Sequence, residues 1–135
     1  FHGSSLRVPT PTVSVADFTA LVERPPATAE EVNAALLEAT MGQQRNVLGL
    51  VDAQLVSVDF VGDPHSSIVD APATIVQGEL IKTVLWYDNE WGYACRVADM
   101  AFYMSQRVLG RSHEDVRAEI NARAQGDWTA EEVPA

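Results

Sequence analysis

Leu85-Trp86-Tyr87-Asp88-Asn89-Glu90-Trp91-Gly92-Tyr93-Ala94-Cys95-Arg96 joins the most apolar run of this chain to its longest helical pattern. Upstream, Glu79 to Trp86 is rich in β-branched and large apolar residues and predicts a strand. Downstream, Trp91 to Leu109 carries apolar residues at helical spacing. Between them stand Asp88 and Asn89, residue types that cap a helix by accepting its free N–H groups. A helix that starts at the end of a buried strand collects unpaired donors and a partial positive charge. The junction is therefore expected to hold a polar or anionic ligand.

Working outward, Gln77-Gly78-Glu79 separates Ala73 to Val76 from Leu80 to Trp86 and predicts a hairpin with glycine at the turn. Gly62 to Ser67 is turn chemistry, and Ser67 to Val69 is extended until Pro72 interrupts it. Asn46 to Val51 and Ala53 to Phe60 read as short strand or loop pieces. Thr28 to Glu31 has the form of a capping box, followed by Val32, Ala35, Leu36 and Ala39 on one helical stripe and closed by Gly42. Thr12 to Glu23 predicts a strand with apolar residues on both faces, hence one covered on both sides. Leu6 to Val8 is a strand seed broken by Pro9 and Pro11. Beyond Gly110, Ser112 to Asp115 offers a cap for a short polar helix over 116–124, and the tail from Gly126 is acidic and expected to fray. Trp91, Cys95, Ala98, Phe102 and Leu109 lie near one stripe of the 91–109 helix and Val97, Met100, Ala101, Met104 and Val108 widen it, so it is expected to be well buried on a sheet. The sum is an α+β domain: a mainly antiparallel or mixed sheet with helices packed on one face, and no Gly-x-Gly-x-x-Gly to mark a Rossmann half.

Composition narrows the function. The chain has 135 residues, 47% hydrophobic and 21% charged, enough for one modest core. A net charge of −10, with a single lysine among nine basic residues, disfavours binding to nucleic acid or to an anionic membrane. No apolar run approaches the roughly 20 residues of a membrane span. Cys95 is the one cysteine, so no internal disulfide forms, which fits a reducing, cytoplasmic setting. The first residue is not methionine, and the chain is expected to begin inside something longer or to have been processed or trimmed.

By pattern alone, the residues that could carry chemistry have plain readings. Arg7 would be a surface arginine or the partner of a carboxylate, although its planar fork also suits a phosphate. Asn89 would be a helix cap, and Tyr93, one turn further along on the same side, an aromatic at the edge of the core. Cys95 lies in the first turns of a helix, where thiolates are favoured. His65 belongs to a turn, and three scattered histidines with one cysteine make no metal constellation.

Three stretches carry a resemblance. Trp86 to Tyr93 (Trp-Tyr-Asp-Asn-Glu-Trp-Gly-Tyr) resembles the signature near the C-terminus of the glyceraldehyde-3-phosphate dehydrogenase family. Leu6 to Val15 is similar to the signature that opens a central strand of that family's catalytic domain. Val58-Asp59-Phe60 and Asp63 to Asp70 are similar to the segment between the two. The likeness runs from about Gly3 to about Val108, so 1–110 is expected to be part of a catalytic domain and 111–135 a helical extension with an acidic tail.

The resemblance implies specific roles. Arg7 would bind the substrate's phosphate. Asn89 would reach the nicotinamide carboxamide, with Tyr93 and Glu90 close by. The cofactor would be NAD, with NADP open; the substrates a phosphorylated aldehyde, glyceraldehyde 3-phosphate, and inorganic phosphate; the pathway glycolysis; and the assembly a homotetramer. The family's nucleophilic cysteine sits in a Ser-Cys-Thr-Thr-Asn motif that this chain lacks, as it lacks the catalytic histidine's segment and the NAD-binding half. No catalytic residue is therefore expected here, and the chain alone is expected to be inactive. An erythrose-4-phosphate dehydrogenase and a non-catalytic assembly module are the alternatives.

Overall fold

The computed structural model describes residues 2–123. Five strands form one mixed sheet: β1 (Ser14–Leu21), β2 (Leu48–Val51), β3 (Ser67–Asp70), β4 (Ile75–Gln77) and β5 (Leu80–Tyr87). Three helices accompany it: α1 (Ala29–Met41), α2 (Asn89–Val108) and α3 (His113–Ala122). The order is β1-β5-β3-β2, with β4 also paired to β5. β5 is antiparallel to β1, β3 and β4, while β2 and β3 run parallel. The α+β expectation holds, as does the β4–β5 hairpin, whose Gly78 takes the left-handed φ of +59° that its turn requires.

The core gathers where the sheet meets the 57–60 turn. Phe60 stacks on Trp86 at 5.3 Å between ring centroids and packs with Ile68 and Val13. The Trp86 indole N–H donates to Asp70 Oδ2 at 3.0 Å, so the ring buries its body and still satisfies its one donor. Val13 is held at φ 68°, a strained conformation for a β-branched residue, inside that cluster. α1 is joined to the sheet by polar contacts. Asn33 Nδ2 donates to the Ala71 carbonyl, and the Thr74 hydroxyl donates to Asn33 Oδ1.

Four local expectations are corrected. β1 is an edge strand and is not covered on both sides: Val15, Phe18 and Leu21 are exposed. Pairing with β5 sets Leu21 of β1 opposite Leu80 and Ile75 of β4 opposite Lys82, so Val15, Leu21, Ile75 and Leu80 share one sheet face, open where the Phe60–Trp86 cluster does not cover it. Residues 6–8 form no strand, because the prolines after them deny the ladder its donors. At α1 the Thr28 hydroxyl accepts from Glu31 N–H as expected, but Glu31 reaches back to Ala27 N–H, one residue earlier than a capping box would place it. Finally, α2 is not well buried. Gly92 and Gln106 are its buried residues, while Met100, Met104 and Val108 are exposed.

The C-terminal end of α2 follows simple capping logic. Gly110, at φ +84°, donates to the Arg107 carbonyl and Arg111 N–H to the Gln106 carbonyl, closing the helix with paired bonds. Ser112 then caps α3 by accepting from Asp115 N–H at 3.1 Å. α3 lies on α2 through the fully buried Val116, Arg123 over the Phe102 ring, and Glu119 paired with Arg111 and Arg123. Asn46, at φ +66°, donates to the carbonyls of Ile120, Asn121 and Arg123 at the end of α3. The expected acidic tail lies outside the described residues.

Candidate functional site

β5 ends at Tyr87 and the chain turns directly into α2. Asp88 takes the N-cap position in extended backbone geometry, so Asn89 is already the first helical residue. Asp88 is buried, and its two oxygens do different work. Oδ1 accepts from Trp91 N–H at 3.1 Å, the capping bond; Oδ2 accepts from Gly62 N–H at 2.9 Å, reaching a loop 26 residues earlier. The N–H bonds from Gly62 and then Trp91 hold this carboxyl below the usual aspartate range, because each donor favours the charged form.

This corrects the expectation of an anion site at the helix start. The first-turn donors face Asp88's own carboxylate, which places a negative charge where an anion would have to sit. The correction also settles the choice between two capping residues. Asn89 does not cap: it is exposed, and its carboxamide makes no hydrogen bond among the described residues. A neutral ligand amide can meet both its donor and its acceptor. Glu90 is exposed beside it, and Tyr93 lies one turn along, 73% exposed and not at a core edge.

The loop 62–66 and the first turns of α2 are joined at two further points, and Asp63 stiffens the loop itself. His65's carbonyl oxygen would stand 2.8 Å from a β-carbon at Gly92, so only glycine lets helix and loop approach this closely. Arg96 Nη1 donates to the Asn46 carbonyl at 2.9 Å and to Ser66 Oγ at 3.3 Å, while its Nε and Nη2 hold Asp99. Asp63 Oδ1 accepts from His65 N–H and meets Nδ1 of the same residue at 2.7 Å, fixing the turn. None of these contacts was assigned from the sequence. The signals were an Asp preceding the Asn at a strand–helix junction, and a glycine in the first turn of a helix.

The remaining sequence candidates stand apart from this junction. Arg7 lies on the lead-in before β1, exposed and without an ion pair among the described residues. Its expected position at the start of a strand is therefore not observed. Cys95 is half-buried, and burial pushes its thiol up, the wrong direction for a thiolate nucleophile. A small cleft beside it is lined by Pro64, Arg96, Asp99 and Asn121, but not by Asn89 or Tyr93. Among the described residues no group of three or more His, Cys, Asp or Glu side chains could hold a metal ion, and no helix is long and apolar enough to cross a membrane.

The mixed α+β sheet, with its central strand feeding a helix through Trp-Tyr-Asp-Asn-Glu, is the architecture the resemblance implies, and comparison with known proteins agrees with the family. Residues 1–89 match the family model described as glyceraldehyde 3-phosphate dehydrogenase, C-terminal domain. The chain is 52% identical over 101 residues to chloroplastic glyceraldehyde-3-phosphate dehydrogenase A of Chlamydomonas reinhardtii, covering 74% of this chain and 27% of that protein. It is 46% identical over 109 residues to glyceraldehyde-3-phosphate dehydrogenase 1 of Bacillus subtilis, covering 80% and 32% respectively. The chain belongs to the glyceraldehyde-3-phosphate dehydrogenase family, within its C-terminal domain. It spans about a third or less of the length of these relatives.

Proposed function

We propose that this chain is the nicotinamide-side part of the catalytic domain of an NAD-dependent, phosphorylating glyceraldehyde-3-phosphate dehydrogenase that works in cytoplasmic glycolysis. The observation that carries the reading is the division of labour at the start of α2: Asp88 caps the helix, leaving the Asn89 carboxamide exposed and unbonded. In this reading Asn89 meets the nicotinamide carboxamide, with Tyr93 and Glu90 beside it, and the fork of Arg7 holds the substrate phosphate. NAD supplies the hydride acceptor when bound, and this chain's residues orient it.

The thiolate that attacks the aldehyde and the base that assists it lie elsewhere in the polypeptide, so residues 1–135 alone do not turn over. Residues 1–110 are the catalytic-domain portion and 111–135 an added extension. The open sheet face with Val15, Leu21, Ile75 and Leu80 supports subunit contact in a homotetramer.

The test is NADH formation from glyceraldehyde 3-phosphate, phosphate and NAD by the full-length protein that carries this chain, with erythrose 4-phosphate run in parallel. Loss of the Arg7 contact in Arg7→Ala should cost about 1.5–3 kcal/mol, roughly ten- to a hundredfold in kcat/KM for the aldehyde. A preference for erythrose 4-phosphate would change the assigned substrate. An inactive parent would sink the enzyme reading and leave the sheet as an assembly surface.

A further inference from the structure

We infer that Asp88 is a positioning residue that acts through Asn89, setting where the Asn89 carboxamide stands by bridging α2 to the 62–66 loop; the inference rests on the nicotinamide reading proposed above. A carboxylate that served only as a helix cap would need one accepting oxygen. Asp88 uses the second to take Gly62 N–H, and Gly62 is held at φ +76°, a backbone state that suits glycine. The same loop presses the His65 carbonyl against Gly92 and offers Ser66 Oγ to Arg96. Loop and helix start are thus locked at three places along two turns, and Asp88 is the lock adjacent in the chain to Asn89.

The consequence is positional. The cap fixes Asp88 relative to the helix, and of the three locks the Gly62 bond is the one that ties the residue next to Asn89 to the loop. Asn89 follows immediately and makes no hydrogen bond of its own among the described residues, so its placement comes from its backbone. A two-way amide contact needs its partner held within about 0.5 Å, which a free surface side chain on an unanchored helix end does not provide. If Asp88 were a stability cap alone, its replacement would lower stability and affect both substrates alike.

A double-mutant cycle in the full-length protein separates these cases, reading KM for NAD and KM for the aldehyde in the NADH-forming assay. Asp88→Ser retains a capping oxygen but is too short to span to Gly62 as well. Asp88→Ser and Asn89→Ala are each expected to raise KM for NAD about five- to tenfold and to leave KM for the aldehyde unchanged. The double variant is expected to be no worse than Asn89→Ala, because both changes remove one and the same contact. Multiplied effects in the double variant, or an unchanged KM for NAD in Asp88→Ser, overturn the inference while the nicotinamide reading stands. An unchanged KM for NAD in Asn89→Ala overturns both. Should Asp88→Ser fail to fold, Asp88→Asn, which keeps the shape but loses one accepting oxygen, enters the same cycle with the same expectations.

Discussion

One face of α2 packs on its own chain with Gly92, Cys95, Arg96, Asp99 and the buried Gln106; the other carries Tyr93, Val97, Met100, Met104 and Val108 outward. The usual assignment is reversed. An amphipathic helix ordinarily turns its apolar stripe to the core, because burial is worth about 25 cal/mol per Å² of apolar surface. Here the inward face is held by direction-specific bonds: Arg96 to Asn46, Ser66 and Asp99, and Gln106 Oε1 accepting from Arg111. The apolar stripe is left outside, uncovered by the described residues. The inward face therefore places the helix, and the outward face, which begins at Tyr93, is where function is expected.

The sharpest way to break this comparison is Gly92→Ala. A β-carbon there meets the His65 carbonyl oxygen, a backbone atom that cannot swing aside. Overpacking should cost about 1–3 kcal/mol, against up to about 1 kcal/mol gained from alanine's helix propensity. A net loss of about 1–2 kcal/mol in chemical denaturation is expected, and a gain would mean that helix and loop are not in contact.

Glu119→Gln should have a smaller effect. The side chain is about one-third exposed, so its pairs with Arg111 and Arg123 are screened, and no more than about 1 kcal/mol is expected. Arg123 and then Arg111 hold its carboxyl below the usual glutamate range. The contribution is accordingly full above the unfolded value of about 4.3 and is lost as pH falls through the folded one. Stability of the parent and the variant should converge in acid; convergence in base instead would refute the pairing.

Smallest of all should be Met104→Gln on the outward face. The side chain is 61% exposed, and the change should stay within about 0.5 kcal/mol in thermal unfolding of residues 1–135. A loss of 2 kcal/mol would show that the outward stripe is covered after all.

The difference between the faces also explains what could be read in the sequence. The β4–β5 hairpin, the end of α2 at Gly110 and the Ser112 cap were legible, because turns and caps depend on local residue types. The burial of β1 and α2 was not. Periodicity reports which residues are apolar, not whether this chain or another surface covers them, so Val15, Leu21, Met100 and Met104 read as core and stand exposed. At the site, the Asp88-Asn89 pair was legible as capping chemistry, but the pattern gave the cap to Asn89 and the structure gives it to Asp88. That is decided by Gly62 N–H, 26 residues away, which draws Asp88 inward and leaves Asn89 outside. For Arg7 the expected role rests on the motif, because nothing local to it specifies a partner.

The claim that Asp88 organises the start of α2 is tested most directly by an NMR titration of its side-chain carboxyl carbon, with the Gly62 and Trp91 amide protons followed in the same samples. The expected result is a midpoint below the ordinary aspartate value of about 3.9, with both amides moving along the same curve as their acceptor is protonated. A midpoint at or above that value, or a Gly62 amide that ignores the titration, would contradict the bridge and with it the division of labour between Asp88 and Asn89.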